Sequence, residues 1–252
     1  MTKQTKKTKQ NAKTQAKPTE KKLTEKKPTT KKPTTNKPTT MTTKPSAETA
    51  TAASDDKRAM RDAMRDAVAA IKPFARTRRA SRLAGTVVRS PALAGAKLVL
   101  AYRAMADEID VDEIVRTLAA RGVRVAFPMI DDAGKLHALE VAARDPLARE
   151  LWTTDRFGIA APRTDAAGVR RVLARDLDAV IVPGRAFDAR GARLGRGKGF
   201  YDRLIAKLRP DARRATMGVG FREQLVDCVP EAEHDRRLAF VAVEGRLIRA
   251  AR

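Results

Sequence analysis

The chain has 252 residues, a formal net charge of +23, one cysteine and only 4% aromatic residues. A single thiol excludes an intrachain disulfide, and no apolar run reaches bilayer length, so the expectation is a soluble protein of the reducing cytoplasm with no membrane partner. The apolar stretch that a secretory leader needs does not follow the early lysines, and the segment lacks the arginine and the amphipathic pattern of a transit peptide. The charge itself makes phosphate-bearing partners the natural class.

Residues 1–53 hold 14 Lys, no Arg and 3 Glu, a net of +11, and repeat KPTT at Lys27, Lys32 and Lys37. With almost no large apolar residue, this segment cannot bury enough surface to offset its ordering entropy. It reads as a disordered basic tail over 1–54, suited to non-specific polyanion contact, followed by one domain over 55–252. The first arginine, Arg58, marks the change of composition.

Within the domain, Met60, Met64, Val68 and Ile71 recur at helical spacing over 57–72, and Pro73 should kink or end that helix before a second one over 75–88. Lys57 and Arg61 lie one turn apart and can reach a common spot. A strand over 97–102, a helix over 111–121 ended by Gly122 and a strand over 123–127 make a βαβ unit. That rhythm predicts a mainly parallel sheet with helices on its faces, a single three-layer Rossmann-like α/β domain. Further expectations are a strand over 136–141, short helices over 146–151 and 168–175, strands over 215–219 and 238–243, and a short helix over 223–228. Cys228 reads as a small buried hydrophobe.

The most informative stretch is Asp178 to Ile205, DAVIVPGRAFDARGARLGRGKGFYDRLI. A β-branched apolar strand leads into Gly195, Gly197 and Gly199 alternating with Arg196 and Lys198, and a helix over 200–208 follows. Glycines at alternate positions let backbone N–H groups converge on an anion while the cations supply counter-charge. A helix beginning near Gly199 would add its partial positive charge. The loop is not a Walker A sequence, because Gly199 stands where Ser or Thr is required, and its glycine spacing is not that of a dinucleotide fingerprint.

Arg193 to Arg203, RLGRGKGFYDR, closely resembles the signature of the 5-formyltetrahydrofolate cyclo-ligases. Other pieces resemble the family in its order: Lys57-Arg58-Ala59-Met60-Arg61, Tyr102 with Asp107-Glu108-Ile109-Asp110, and Gly218 to Asp235. The resemblance implies an ATP- and Mg²⁺-dependent conversion of 5-formyltetrahydrofolate to 5,10-methenyltetrahydrofolate by a monomer. It implies ATP contacts from Lys57, Arg58, Ala59, Met60 and Arg61 and from Arg193, Leu194, Gly195, Arg196, Gly197, Lys198, Gly199, Phe200 and Tyr201. Folate contacts would come from Arg103, Glu108, Arg196, Gly197, Lys198, Gly199 and Phe200. Lys198 and Arg196 would hold the migrating charge, and Asp202 and Asp235 the metal. Two positions depart from the pattern: Phe200 stands where Tyr is frequent, and Ala161 where an acid is common, so no role is given to the turn around Ala161.

Two histidines and one cysteine without HExxH or CxxC argue against zinc, and no GxSxG supports a serine hydrolase. Two other readings stay open. A nucleic-acid-binding protein would explain the basic tail, although no reading motif is present. A phosphotransferase for another small molecule would share the glycine loop.

Overall fold

Side-chain burial along the central strands has a period of two. In the computed structural model, which describes residues 47–251 apart from 156 and 157, Leu98 and Leu100 enter one apolar cluster while Val99 and Ala101 enter another. Val180 and Val182 separate from Ala179 and Ile181 in the same way. Successive strand residues point to opposite faces, so these strands are covered on both sides, as a parallel sheet requires.

In chain order the elements are α1 (Ala47–Ala69), α2 (Pro73–Val87), β1 (Leu98–Leu100), α3 (Asp112–Ala120), β2 (Arg124–Ile130), β3 (Leu136–Val141), β4 (Trp152–Thr154), β5 (Ala160–Pro162) and β6 (Val169–Val172). Then come β7 (Ala179–Val182), β8 (Ala186–Phe187), β9 (Arg193–Leu194), α4 (Phe200–Ile205), α5 (Pro210–Arg213), β10 (Thr216–Gly220), β11 (Phe240–Val243) and β12 (Arg246–Arg249). Eight strands form one sheet in the order β12-β11-β10-β7-β1-β2-β3-β6, and β4–β5 and β8–β9 are separate hairpins. The five strands from β11 to β2 pair in parallel, whereas β12, β3 and β6 are antiparallel to their neighbours. Val68, Leu83, Val87, Ile114 and Leu118 bring α1, α2 and α3 onto one face, while Leu204, Ile205 and Ala212 bring α4 and α5 onto the other. The three-layer α/β expectation holds.

Several local expectations are corrected. Helix α1 begins at Ala47, so residues 47–54 of the expected tail are helical, and residues 1–46 lie outside the described part. The expected break at Pro73 holds: α1 ends at Ala69, and Pro73 starts α2 at its first position, where the missing N–H costs nothing. The segment 168–175 is β6 and a 3₁₀ turn over Ala174–Asp176, not an α-helix. Val169 and Val172 have helical spacing, and in the strand they point to opposite faces of the sheet. The free edge of β3 decides, pairing Val141 with Val169 and Ala138 with Val172. Arg170 then reaches Glu140 at 2.7 Å, a charge on the edge that discourages further pairing.

The short helices over 146–151 and 223–228 shrink to 3₁₀ turns at Arg149–Leu151 and Arg222–Gln224, and α4 ends at Ile205. Cys228 is exposed rather than buried. Strand β12 was not foreseen. Its hairpin turns through Glu244 and Gly245, both at positive φ (35° and 91°), the backbone of a type I′ turn. Glu244 tolerates that conformation with its carboxylate held by Arg79 at 3.1 Å and by the Arg222 N–H at 3.2 Å.

Candidate active site

Strands β1 and β7 are neighbours, yet the chain leaves β1 toward β2 on one side and β7 toward β10 on the other. Their carboxyl ends therefore diverge, and open α/β sheets bind ligands in the crevice this leaves. A cavity of about 1100 Å³ occupies it, lined by Tyr102, Arg103 and Glu108 after β1 and by Pro183, Gly184 and Arg185 after β7. Gln224, buried, fixes the β7 end by donating to the carbonyls of Gly184 (2.9 Å) and Arg185 (3.1 Å). Phe187 packs so closely under Gly184 that a Cβ there would sit 2.6 Å from the ring.

The glycine loop forms one wall. Gly197 and Gly199 have φ of +92° and +63°, which L side chains rarely adopt, so the alternation of glycines is a backbone requirement here. A Cβ on Gly195 would lie 2.5 Å from the Arg193 guanidinium. Arg61 of α1 donates to Gly195 O at 2.9 Å and Arg203 to Lys198 O at 3.0 Å. Arg61, Lys198 and Arg203 thus sit on this loop and line the cavity, and none of them has an acidic partner among the described residues. Three uncompensated cations beside a backbone of glycines are suited to a polyanion. Helix α4 is only six residues long, so its dipole adds less than the sequence suggested.

The opposite wall carries acids. Arg196 crosses from the loop to pair with Asp107, which also pairs with Arg185, and it approaches Glu108 at 3.4 Å. Burial pushes the Glu108 carboxyl above its ordinary value, partly offset by the Met105 N–H at 3.0 Å and by Arg196. Arg103 stacks over Trp152, 4.9 Å from the ring centre, and pairs with Asp112 at 3.5 Å. Tyr201 is half-buried beneath Arg193, whose guanidinium lies 5.8 Å from its ring centre, and burial of the hydroxyl raises its pKa.

Asp202 and Asp235 meet on a third side. Asp202 is bonded by Arg193 at 2.9 Å and accepts from the Arg236 N–H at 3.2 Å, which places it against the residue following Asp235. Asp235 accepts from Lys57 at 2.6 Å and from the Ala232 N–H at 2.7 Å. Burial works against its ionisation, but these two bonds prevail and its pKa falls below the usual carboxylate value. Among the described residues no three His, Cys, Asp or Glu side chains gather into a metal cage. Two carboxylates on one wall fit Mg²⁺ in its commoner mode, in which phosphate oxygens and water complete the shell.

Of the residues expected at the site, Lys57, Arg61, Arg103, Glu108, Asp202, Asp235 and all of Arg193–Tyr201 line this one cavity. Arg58 and Ala59 are exposed and do not line it, and Met60 instead packs against the β8–β9 hairpin. Ala161 is buried in β5, opposite Thr153. Sequence reasoning missed Asp107 and Arg185 as an ion pair and Gln224 as the brace of β7. Asp107 did stand inside the acidic segment singled out, but nothing in the spacing showed which acid meets which arginine.

A family model described as the 5-formyltetrahydrofolate cyclo-ligase family matches residues 53–244. The chain belongs to the 5-formyltetrahydrofolate cyclo-ligase family. The Escherichia coli (strain K12) 5-formyltetrahydrofolate cyclo-ligase is 30% identical over 183 residues, 71% of this chain and 94% of that protein. The Mus musculus enzyme of the same name is 24% identical over 194 residues, 75% of this chain and 93% of that one. The solved structure of Aquifex aeolicus 5,10-methenyltetrahydrofolate synthetase superimposes with a TM-score of 0.64 at 23% identity, covering 77% of this chain and 92% of that chain. That likeness shows the shared fold, and the cyclo-ligase glycine loop, Glu108 and Asp235 meet in one crevice of it.

Proposed function

We propose that this cyclo-ligase binds ATP on the Gly195–Gly199 loop, binds 5-formyltetrahydrofolate against Glu108, and releases 5,10-methenyltetrahydrofolate, ADP and phosphate. The observation that carries this reading is the glycine loop with Lys198, Arg61 and Arg203 beside it, none with an acidic partner among the described residues, in one cavity with the Glu108 carboxylate. The γ-phosphoryl group passes to the formyl oxygen on N5, N10 attacks the activated carbon, and the C–O bond to phosphate breaks. No protein nucleophile is needed. Such a transfer depends on positioning and on charge stabilisation, which Lys198, Arg196 and the loop N–H groups supply. Asp202 and Asp235 would hold Mg²⁺, which neutralises charge on the phosphate oxygens. Coupled appearance of ADP and the methenyl product tests the reading.

Glu108 gives it a pH signature. Its folded pKa is raised above 4.5, so the carboxylate that accepts folate N–H groups forms only above that higher value. KM for the folate is therefore expected to rise as pH falls toward it, and Glu108→Gln to leave KM permanently high and flat with pH. A kcat/KM profile of both proteins checks this. Stability runs the other way: the fold favours the protonated acid, so Glu108 costs stability as pH rises from 4.5 through the folded pKa.

We place the activity in the cytoplasm, in keeping with one cysteine; no described helix is long and apolar enough to cross a membrane. The lysine-rich segment before α1 is read as a polyanion tether. Deleting residues 1–46 is expected to leave unfolding temperature and turnover unchanged while lowering the salt concentration that elutes the protein from heparin. An unchanged elution point would assign that binding to the domain.

A further inference from the structure

The chain has two tyrosines, and their hydroxyls stand in opposite situations. Tyr102 donates to Ile109 O at 2.8 Å. The Tyr201 hydroxyl is buried and has no hydrogen-bond partner among the described residues, on a residue that lines the active-site cavity. Buried hydroxyls are nearly always paired, because leaving one unpaired forfeits the hydrogen bonds it made to water. An orphan hydroxyl on a residue that lines the cavity is therefore a donor left for a ligand.

The group is also held in place. Tyr201 lies in the first turn of α4, and its ring sits beneath Arg193, which Asp202 anchors at 2.9 Å. Its neighbour Phe200, packed under Arg203, has no hydroxyl to share the task. A phenol hydroxyl has one hydrogen to donate, and Glu108 lines the same cavity. Tyr201 thus offers a hydrogen where Glu108 offers an acceptor. A ligand that satisfies both presents a carbonyl oxygen and an N–H on one flat, amide-like edge.

We propose that the Tyr201 hydroxyl donates a hydrogen bond to a carbonyl oxygen of the bound folate, beside the N–H taken by Glu108, and so sets specificity for the folate rather than for ATP. This rests on the cyclo-ligase reading, and it replaces the ATP contact that the family resemblance implied for Tyr201. Two folate carbonyls qualify, the formyl group on N5 and the lactam of the ring, and they share this chemistry.

The test is Tyr201→Phe, which keeps the ring and removes only the oxygen. KM and Kd for 5-formyltetrahydrofolate are expected to rise about tenfold, the equivalent of one net hydrogen bond. KM for ATP should stay as it was, and the unliganded variant should melt no lower than the wild type, because no bond is lost without ligand. Binding of 5-methyltetrahydrofolate, which lacks the formyl carbonyl, identifies the acceptor. A matching loss for both folates assigns the ring lactam, and a loss confined to the formyl compound assigns the formyl oxygen. Unchanged folate affinity in the variant, or a rise in KM for ATP alone, overturns the proposal while wild-type turnover upholds the cyclo-ligase reading. A lower melting temperature with equal losses for ATP and folate overturns it in favour of a packing role. A wild-type protein inactive on 5-formyltetrahydrofolate overturns both.

Discussion

Replacing Lys198 with alanine is expected to lower turnover about a hundredfold, the scale of losing one preorganised electrostatic contact to the transition state. Lys198 stands between Gly197 and Gly199, whose positive φ values fix the loop, and it projects from an exposed position without an ion-pair partner among the described residues. A charge that stabilises nothing in the free protein is available to stabilise a migrating phosphoryl group. For the same reason its removal should not disturb folding, so the unfolding temperature is expected to match the wild type. The discriminating measurement is kcat at saturating ATP and folate. A folded Lys198→Ala protein with near-normal kcat would remove Lys198 from the chemistry.

Arg193→Met is expected to fail differently. The Arg193 and Asp202 side chains are 6% and 13% exposed, and they pair at 2.9 Å. Removing one member of such a pair strands the other in a poor solvent for charge, and losses of about 3–5 kcal/mol are typical. The same guanidinium covers the Tyr201 ring and would contact a Cβ on Gly195, so the loop should loosen and turnover should fall with stability. Urea unfolding of Arg193→Met, Asp202→Asn and the double variant measures the coupling. If the double variant is no more stable than the Arg193 single variant, the stranded charge is not the cause.

The two variants separate what the sequence shows about this site from what it hides. The glycine loop was legible because its requirement is local: alternate glycines between a buried strand and a helix leave little but a close-approach loop. The β1 and β7 strands were legible because runs buried on both faces are apolar throughout. Segment 168–175 was misread because Val169 and Val172 have helical spacing and lie on opposite faces of the strand, so only the pairing with the edge of β3 reveals it. Asp202 and Asp235 were expected together, and the Arg236 N–H does bring them to one wall. That each already holds a cation could not be read from spacing: Arg193 reaches Asp202 from the neighbouring β9, and Lys57 reaches Asp235 from α1, far away in sequence. The buried, unpaired Tyr201 hydroxyl is invisible to any pattern, since it is defined by what fails to surround it.

The most direct test follows ADP release and methenyl product formation together, with and without 5-formyltetrahydrofolate, in the presence of ATP and Mg²⁺. The account predicts one ADP for each 5,10-methenyltetrahydrofolate formed and essentially no ADP without the folate. ADP release that ignores the folate, or that proceeds with it but yields no methenyl product, would contradict the account.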